Sequence, residues 1–200
     1  MARKKAATKR RPAARASKRA KKPVRKASAR KPAARRKSPA RRPLLTTRPG
    51  KVTPFLWFDG NVDKAVEFYT SVFPASRVLA MSRPAPGAPV FSATFVLAGQ
   101  TFMALNGGPM YKFSPAVSFF ISCDDQEEVD YYWEKLLADG GTPSRCGWLD
   151  DKFGLSWQVI PAELTRFLSD AKHGNTKAAM DAMMGMVKLD LAQLRAAYES

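Results

Sequence analysis

Residues 52–58, VTPFLWF, and residues 116–122, AVSFFIS, stand 64 positions apart and begin the same succession of patterns. Each is an aromatic and β-branched run of strand length closed by a polar stop, DGN in the first and DDQ in the second. Asp59 or Asn61 can cap the helix after the first run. A stripe at helical spacing comes next: Val62, Ala65, Val66, Tyr69, Val72 and Phe73, ending at Pro74, then Val129, Tyr132, Trp133, Leu136 and Leu137, ending at DGG. The first copy continues through SRVLAMSR (76–83), a Pro/Gly loop, and VFSATFVLAGQTFMALN (90–106), whose central AGQ divides two apolar runs as a hairpin turn does. GQTFMAL (99–105) has its counterpart in GLSWQVI (154–160), 55 positions on. Two copies of one βαβββ module are therefore expected, module one over 52–108 and module two over 115–161. A helix packed on a sheet from each module, with the two sheets facing, buries both apolar faces and leaves a cleft, which makes the fold class α+β.

The remaining residues, 161–200, read as C-terminal helices. PAELTRFLSD has Pro161 suited to a first helical turn. Residues 176–199 carry an apolar stripe of Met180, Met183, Met184, Met186, Val187, Leu189, Leu191 and Leu194, which suits packing on the core or a subunit contact. A homodimer is the expected assembly.

Ahead of the repeat the composition breaks. Residues 1–43 hold 20 Lys or Arg, 12 Ala and 5 Pro, no acid, and no large apolar residue except Met1 and Val24. Such a segment cannot bury enough surface to offset chain entropy, so residues 1–51 are expected to be a disordered basic tail. Of the 34 basic residues in the chain, 22 precede Val52, which leaves 12 to face all 17 acids: residues 52–200 carry a net charge of −5.

Three roles suit the tail. Its Lys and Arg can meet phosphates, releasing counterions and giving salt-sensitive, sequence-blind attachment to nucleic acid or another polyanion; Arg10, Arg11, Lys18, Arg19, Lys21, Lys22, Arg35, Arg36, Lys37, Arg41 and Arg42 are the candidate contacts. RKPAARRK and KSPARRP (37–43) resemble the Lys-Pro-Ala and Ser-Pro-basic tails of linker histones and histone-like bacterial proteins, which implies nucleoid association. Organelle targeting is the second role and solubilisation the third, although the tail lacks the Leu or Phe face of a transit peptide. No apolar run reaches signal-peptide or membrane-span length, so no membrane partner is expected. Cys123 and Cys146 are too few for a disulfide framework and lack CxxC spacing, which suits a reducing cytoplasm.

TPFLWFDGNVDKAVEFYTSVFP, AGQTFMALNGGPMYKFSPAVSF, DDQEEVDYYWEKL, CGWLDDKFGLSWQVIP and the closing AAMDAMMGMVKLDLAQLRAAYE resemble the PhnB-like branch of the vicinal oxygen chelate superfamily, which includes glyoxalase I, extradiol dioxygenases and the fosfomycin- and bleomycin-resistance proteins. The resemblance covers residues 52–200 and implies the tandem βαβββ fold. It also implies a divalent metal at four strand positions, which fall here on Pro54, Met103, Ser118 and Gln158, of which only Gln158 could ligate in the usual way. No metal and no cofactor are therefore expected. Members of the branch are often labelled demethylubiquinone methyltransferases. A methyltransferase of the common type needs a Gly-rich turn between a parallel strand and a helix, whereas Gly107-Gly108 follow a hairpin strand and precede Pro109.

What remains is a small-molecule pocket in the cleft. Phe55, Trp57, Asn106, Trp148, Trp157 and Gln158 combine aromatic walls with a few amides, suited to a flat, partly apolar ligand, while the aromatics equally suit core packing. Asp150 and Asp151 in WLDDKFG read as a hairpin turn rather than an acid and base pair. The only histidine, His173, falls after the last strand and reads as a surface or cap residue. The residues leave three functions open: a ligand-binding or weakly catalytic domain tethered to polyanions, a small-molecule enzyme of the superfamily (a lyase, or a methyltransferase by label) with an incidental tail, and a DNA-associated structural protein whose domain only dimerises.

Overall fold

A computed structural model describes residues 50–200. The basic-tail expectations concern residues that lie outside this range, apart from Gly50 and Lys51.

Module one runs β1 (Phe55–Phe58), α1 (Val62–Val72), β2 (Arg77–Ser82), β3 (Ser92–Leu97) and β4 (Gln100–Asn106). Module two repeats it as β5 (Ser118–Cys123), α2 (Gln126–Leu137), β6 (Thr142–Pro143), β7 (Trp148–Asp150) and β8 (Ser156–Pro161). The two sheets have the same topology. In order β1-β4-β3-β2 and β5-β8-β7-β6, the first strand pairs parallel with the last and the rest pair antiparallel. The α+β reading and the tandem βαβββ order are thus the observed architecture.

Local chemistry explains the elements. β3 and β4 are joined by the two residues Ala98 and Gly99, both with positive φ (45° and 92°), the conformation whose twist matches the flanking strands. α2 starts with Asp125, whose side chain accepts from Glu128 N, while Glu128 reaches back to accept from Asp124 N at 2.7 Å. α1 starts differently. Asn61 occupies its N-cap position without capping, and Asn106 at the end of β4 supplies the acceptor for Val62 N instead.

Strand alternation places Leu56, Phe58, Phe95, Phe102 and Ala104 of sheet one, and Ile121, Trp157, Val159 and Leu149 of sheet two, in one core shared with Val66, Tyr69, Val129 and Leu136 of the helices. A second cluster, Ile160, Leu164, Phe167, Ala179, Leu189, Leu194 and Tyr198, seats the C-terminal helices α3 (Leu164–Ser169), α4 (Thr176–Gly185) and α5 (Leu191–Tyr198). The apolar stripe divides there: Leu189 and Leu194 are buried, whereas Met180, Met184 and Val187 are exposed. Pro161 closes β8 opposite Cys123 rather than opening a helix, and the helix begins three residues later at Leu164. A proline is tolerated at that strand end because the next amide, Ala162 N, makes the bond to Cys123 O.

Candidate functional site

Each sheet buries one face and leaves the other open, and the six sequence-derived candidates distribute over both. On sheet one, Phe55, Met103 and Thr94 form a cross-strand row, and Trp57, Leu105 and Ser92 the next. Phe55 is 52% exposed. Trp57 is half-buried; its Nε1 donates to Gly108 O at 2.8 Å and its ring meets Tyr111 edge-on at 5.0 Å. On sheet two, Trp148, Gln158 and Phe120 form a row on the open face, with Gln158 Nε2 donating to Ser118 Oγ at 2.8 Å. Trp157 points the opposite way, into the core, at 3% exposure.

Asn106 is committed to backbone: its Oδ1 accepts from Val62 N at 3.1 Å and its Nδ2 donates to Val90 O at 2.7 Å. The structure therefore brings Phe55 and Trp57 together, and separately Trp148 and Gln158. Trp157 and Asn106 join neither group.

The space around Trp57 is a groove in two parts. One cavity of ≈ 290 Å³ is lined by Trp57, Asn61, Tyr111, Lys112, Phe113 and Phe153 among others. A second of ≈ 290 Å³ is lined by Phe55, Trp57, Lys112, Phe113, Val117 and Phe119 among others. Trp57, Lys112 and Phe113 belong to both, so the inter-module segment after β4 forms a shared wall that includes the exposed Lys112, and the first cavity adds Asp59. Asn61 Oδ1 is buried and has no hydrogen-bond partner among the described residues. Lys112 and Tyr111, absent from the sequence-derived set, could have been flagged only by their place in the connector between the repeats.

The glycine pair has a packing reason. A Cβ on Gly107 would stand 2.2 Å from the Trp57 ring, so only glycine lets the indole lie across the chain there. The indole occupies the position, and the pair lies after β4 and not between a parallel strand and a helix. That context does not fit an adenosyl cofactor.

The metal positions are equally unsuited. Pro54 contributes a backbone oxygen that already accepts from Met103 N at 2.9 Å, and Met103 offers no hard donor. Ser118 and Gln158 hydrogen-bond each other. Among the described residues no group of three or more His, Cys, Asp or Glu side chains converges in a way that could hold a metal ion. His173 is a surface residue whose Nδ1 lies 2.8 Å from Asp170.

One constellation escaped sequence reasoning. Asp151 is 3% exposed, and its carboxylate accepts from Tyr69 OH (2.9 Å), Trp157 Nε1 (2.9 Å), Phe153 N (2.8 Å) and Leu155 N (3.1 Å). It does sit in a turn, with Gly154 N donating to its carbonyl, but its side chain reaches across to α1 of the other module. Burial raises its carboxyl above the ordinary range against the pull of the four donors, and burial with the Asp151 charge raises the Tyr69 phenol well above its ordinary value. Cys123 is buried, and its thiol is pushed up to about 12 by burial first and the Glu128 charge second, which makes it a poor nucleophile.

Two βαβββ modules with open sheet faces and an aromatic groove are the tandem architecture that the resemblance to the vicinal oxygen chelate superfamily implies, and among the described residues no group of His, Cys, Asp or Glu side chains converges at its metal positions. Residues 50–160 match the family model of 3-demethylubiquinone-9 3-methyltransferase, and the chain belongs to that family. It is similar to a putative 3-demethylubiquinone-9 3-methyltransferase, PhnB protein, from Bacillus cereus: 37% identity over 55% of this chain and 97% of that one, with a TM-score of 0.50. A Pseudomonas aeruginosa protein is 22% identical over 53% of this chain and 92% of its own, with a TM-score of 0.44. The fosfomycin resistance protein FosX of Listeria monocytogenes, solved with Mn(II) and sulfate, is 18% identical over 53% and 87%, with a TM-score of 0.40. No functionally curated protein matches the sequence.

Proposed function

We propose that residues 52–200 bind a small, flat, partly apolar molecule in the groove around Trp57, and that the basic tail tethers this binding domain to nucleic acid or another polyanion. The observation that carries the ligand half is the pair of cavities sharing Trp57, Lys112 and Phe113: aromatic walls supply apolar area, and exposed Lys112, the one charged residue common to both linings with Asp59 added in the first, favours a ligand with an anionic or carbonyl group at the Phe55 end. The observation that carries the tether half is the charge division, 22 basic residues before Val52 and a net −5 after it. No helix among the described residues is long and apolar enough to cross a membrane.

A homodimer belongs to the same proposal. Phe55 (52% exposed) and Phe120 (58% exposed) project from the two open sheet faces, and a second copy laid on those faces would cover both. Sedimentation equilibrium tests this, and a monomer at ~100 μM overturns it.

The tether is tested by titrating the full chain and residues 52–200 with unrelated DNA sequences across a salt series. The full chain should bind with a steep salt slope and the truncated chain should not bind. For the groove, a thermal-shift panel of aromatic acids should stabilise the wild type and lose its effect in Lys112→Ala. An equal response of the two proteins refutes the groove reading, and equal DNA affinity of the two chains refutes the tether.

A further inference from the structure

A cavity that the groove reading leaves unused lies at the module junction. It measures ≈ 470 Å³ and is bounded by the β3–β4 turn, strand β5, the end of α1 and the first turns of α2. Its apolar walls include Phe73, Phe102, Phe119, Tyr132 and Trp157, contributed by both modules, and apart from Phe119 it shares no residue with the Trp57 groove. The volume falls in the ~300–1,000 Å³ range of small-molecule sites.

Its polar equipment is one-sided. Gln100 and Ser122 are exposed at its rim, and Glu128 is the single charged residue in the lining. Glu128 is held rather than free to swing: one carboxylate oxygen, Oε2, accepts from Asp124 N at 2.7 Å, and the cap it forms with Asp125 fixes the first turn of α2. The other oxygen, Oε1, has no hydrogen-bond donor among the described residues, and Glu128 forms no ion pair among them. Asp124, Asp125 and Glu127 stand beside it and no basic side chain lines the cavity. The negative field reaches into the walls, since the Glu128 charge is second only to burial in raising the Tyr132 phenol.

Aromatic walls with a fixed carboxylate and no competing cation favour a positively charged guest, because ring faces and carboxylate attract the same charge. We propose that this junction cavity is a second binding site, taking an organic ammonium ion with an aromatic or otherwise apolar body. The charged end sits against the free oxygen of Glu128 at the mouth, and the body lies between Phe119, Tyr132 and Trp157. The site does not rest on the groove around Trp57 and stands if that groove binds nothing.

The test uses the full chain and three probes of one shape and different charge: 2-phenylethylammonium, neutral 2-phenylethanol and anionic phenylacetate. Binding is followed by amide chemical-shift changes in ¹⁵N-labelled protein. The ammonium should shift Gln100, Ser122 and Glu128, with the alcohol binding at least about 10-fold more weakly and phenylacetate not at all. Glu128→Gln keeps an oxygen for Asp124 N and should weaken the ammonium about 10-fold while leaving the alcohol unchanged. Ser122→Arg, at an exposed position, should block the ammonium by placing a guanidinium at the mouth; it serves as the decisive variant if Glu128→Gln loses its fold. Equal affinity for ammonium and alcohol, an unchanged ammonium affinity in whichever variant folds, shifts confined to Trp57 and Lys112, or no shift at ~10 mM probe would each overturn the assignment.

Discussion

Removing the Asp151 carboxylate should destabilise the domain more than its turn position suggests. The side chain takes four donors from three directions: Tyr69 OH from α1 of module one, Trp157 Nε1 from β8, and the backbone amides of Phe153 and Leu155. Asp151→Ala strands all four. Each unpaired buried donor costs about 1–3 kcal/mol, but Leu155 N and Phe153 N lie in a turn that can relax toward water. The two side-chain donors, Tyr69 OH and Trp157 Nε1, stay buried and unpaired at that cost each, which with a partial loss at the turn gives about 3–5 kcal/mol for the whole change. In a domain of this size each kcal/mol moves Tm by about 2–4 °C, so the fall should be about 6–20 °C.

Tyr69→Phe removes one donor and leaves the carboxylate three, a loss of about 1.5–3 kcal/mol. Urea unfolding followed by tryptophan fluorescence measures both variants and the double mutant. Because Asp151→Ala orphans the Tyr69 hydroxyl, also deleting that hydroxyl should give a protein no less stable than Asp151→Ala alone. Losses that simply add, or an Asp151→Ala cost under about 1 kcal/mol, would refute the idea that this carboxylate locks the modules.

Three further outcomes follow from named contacts. Folded Asp151 holds its proton more tightly than it does in the unfolded chain, so its protonation favours the fold; that contribution is complete below the ordinary carboxylate range and is lost as pH rises through the raised value. The stability difference between wild type and the non-titrating Asp151→Asn should therefore be most favourable to wild type in acid and shrink as pH rises, measured by urea titration at each pH. Gly107→Ala must push the Trp57 ring away from a contact of 2.2 Å, at a cost of about 1–3 kcal/mol, and a Trp57 emission spectrum unchanged in a background lacking the other three tryptophans would contradict it. Lys188 holds the Asp130 carboxyl below its ordinary range, with Gln126 helping, and that stabilisation is present above the ordinary carboxylate pKa and lost as pH falls through the lowered one. Since both side chains are 40% exposed, solvent screening limits the loss in Lys188→Ala to under about 1 kcal/mol at neutral pH by thermal unfolding.

The repeat carried most of the fold because period and punctuation agree in both copies: an aromatic strand, a polar stop, then a helical stripe, with the closing hairpin turned by Ala98 and Gly99 in the first copy and by the longer stretch 151–155 in the second. What escaped it were choices among neighbours that depend on tertiary approach. Asn61 and Asn106 are both asparagines near the start of α1, and nothing in their spacing says that the distant one, 45 positions on, supplies the acceptor for Val62 N. Pro161 satisfies the local rule for a helix start, but its partner Cys123, 38 positions away, holds it in β8. Asp151 reads as a turn residue because it is one; that its carboxylate also meets Tyr69 depends on how the two modules dock. The candidate site divided for a related reason. Strand alternation assigns faces within a sheet, so Trp157 and Gln158, adjacent in sequence, had to part, one to the core and one to the open face.

The docking of the modules then explains why cavities lie on two sides of the shared core. Helices α1 and α2 and the inner faces of both sheets share a single core, closed by the Tyr69 to Asp151 bond, the Phe73–Tyr132 stack at 5.2 Å and the Tyr131 hydroxyl on Val72 O. With the inner faces committed to each other, the outer faces stay open and two cavities among the described residues lie at the seam. One gap lies along β1, where the connector carries Lys112; the other lies against α2, where Glu128 is fixed by its own helix cap. On the proposed reading the Lys112 side favours anions and the Glu128 side cations. A guest carrying both charges would be drawn to either mouth by one group and opposed by the other. Singly charged probes of matched shape should therefore separate the two sites, the anion shifting Lys112 and the cation Glu128, and a single probe that shifts both with equal affinity would show that charge does not sort them.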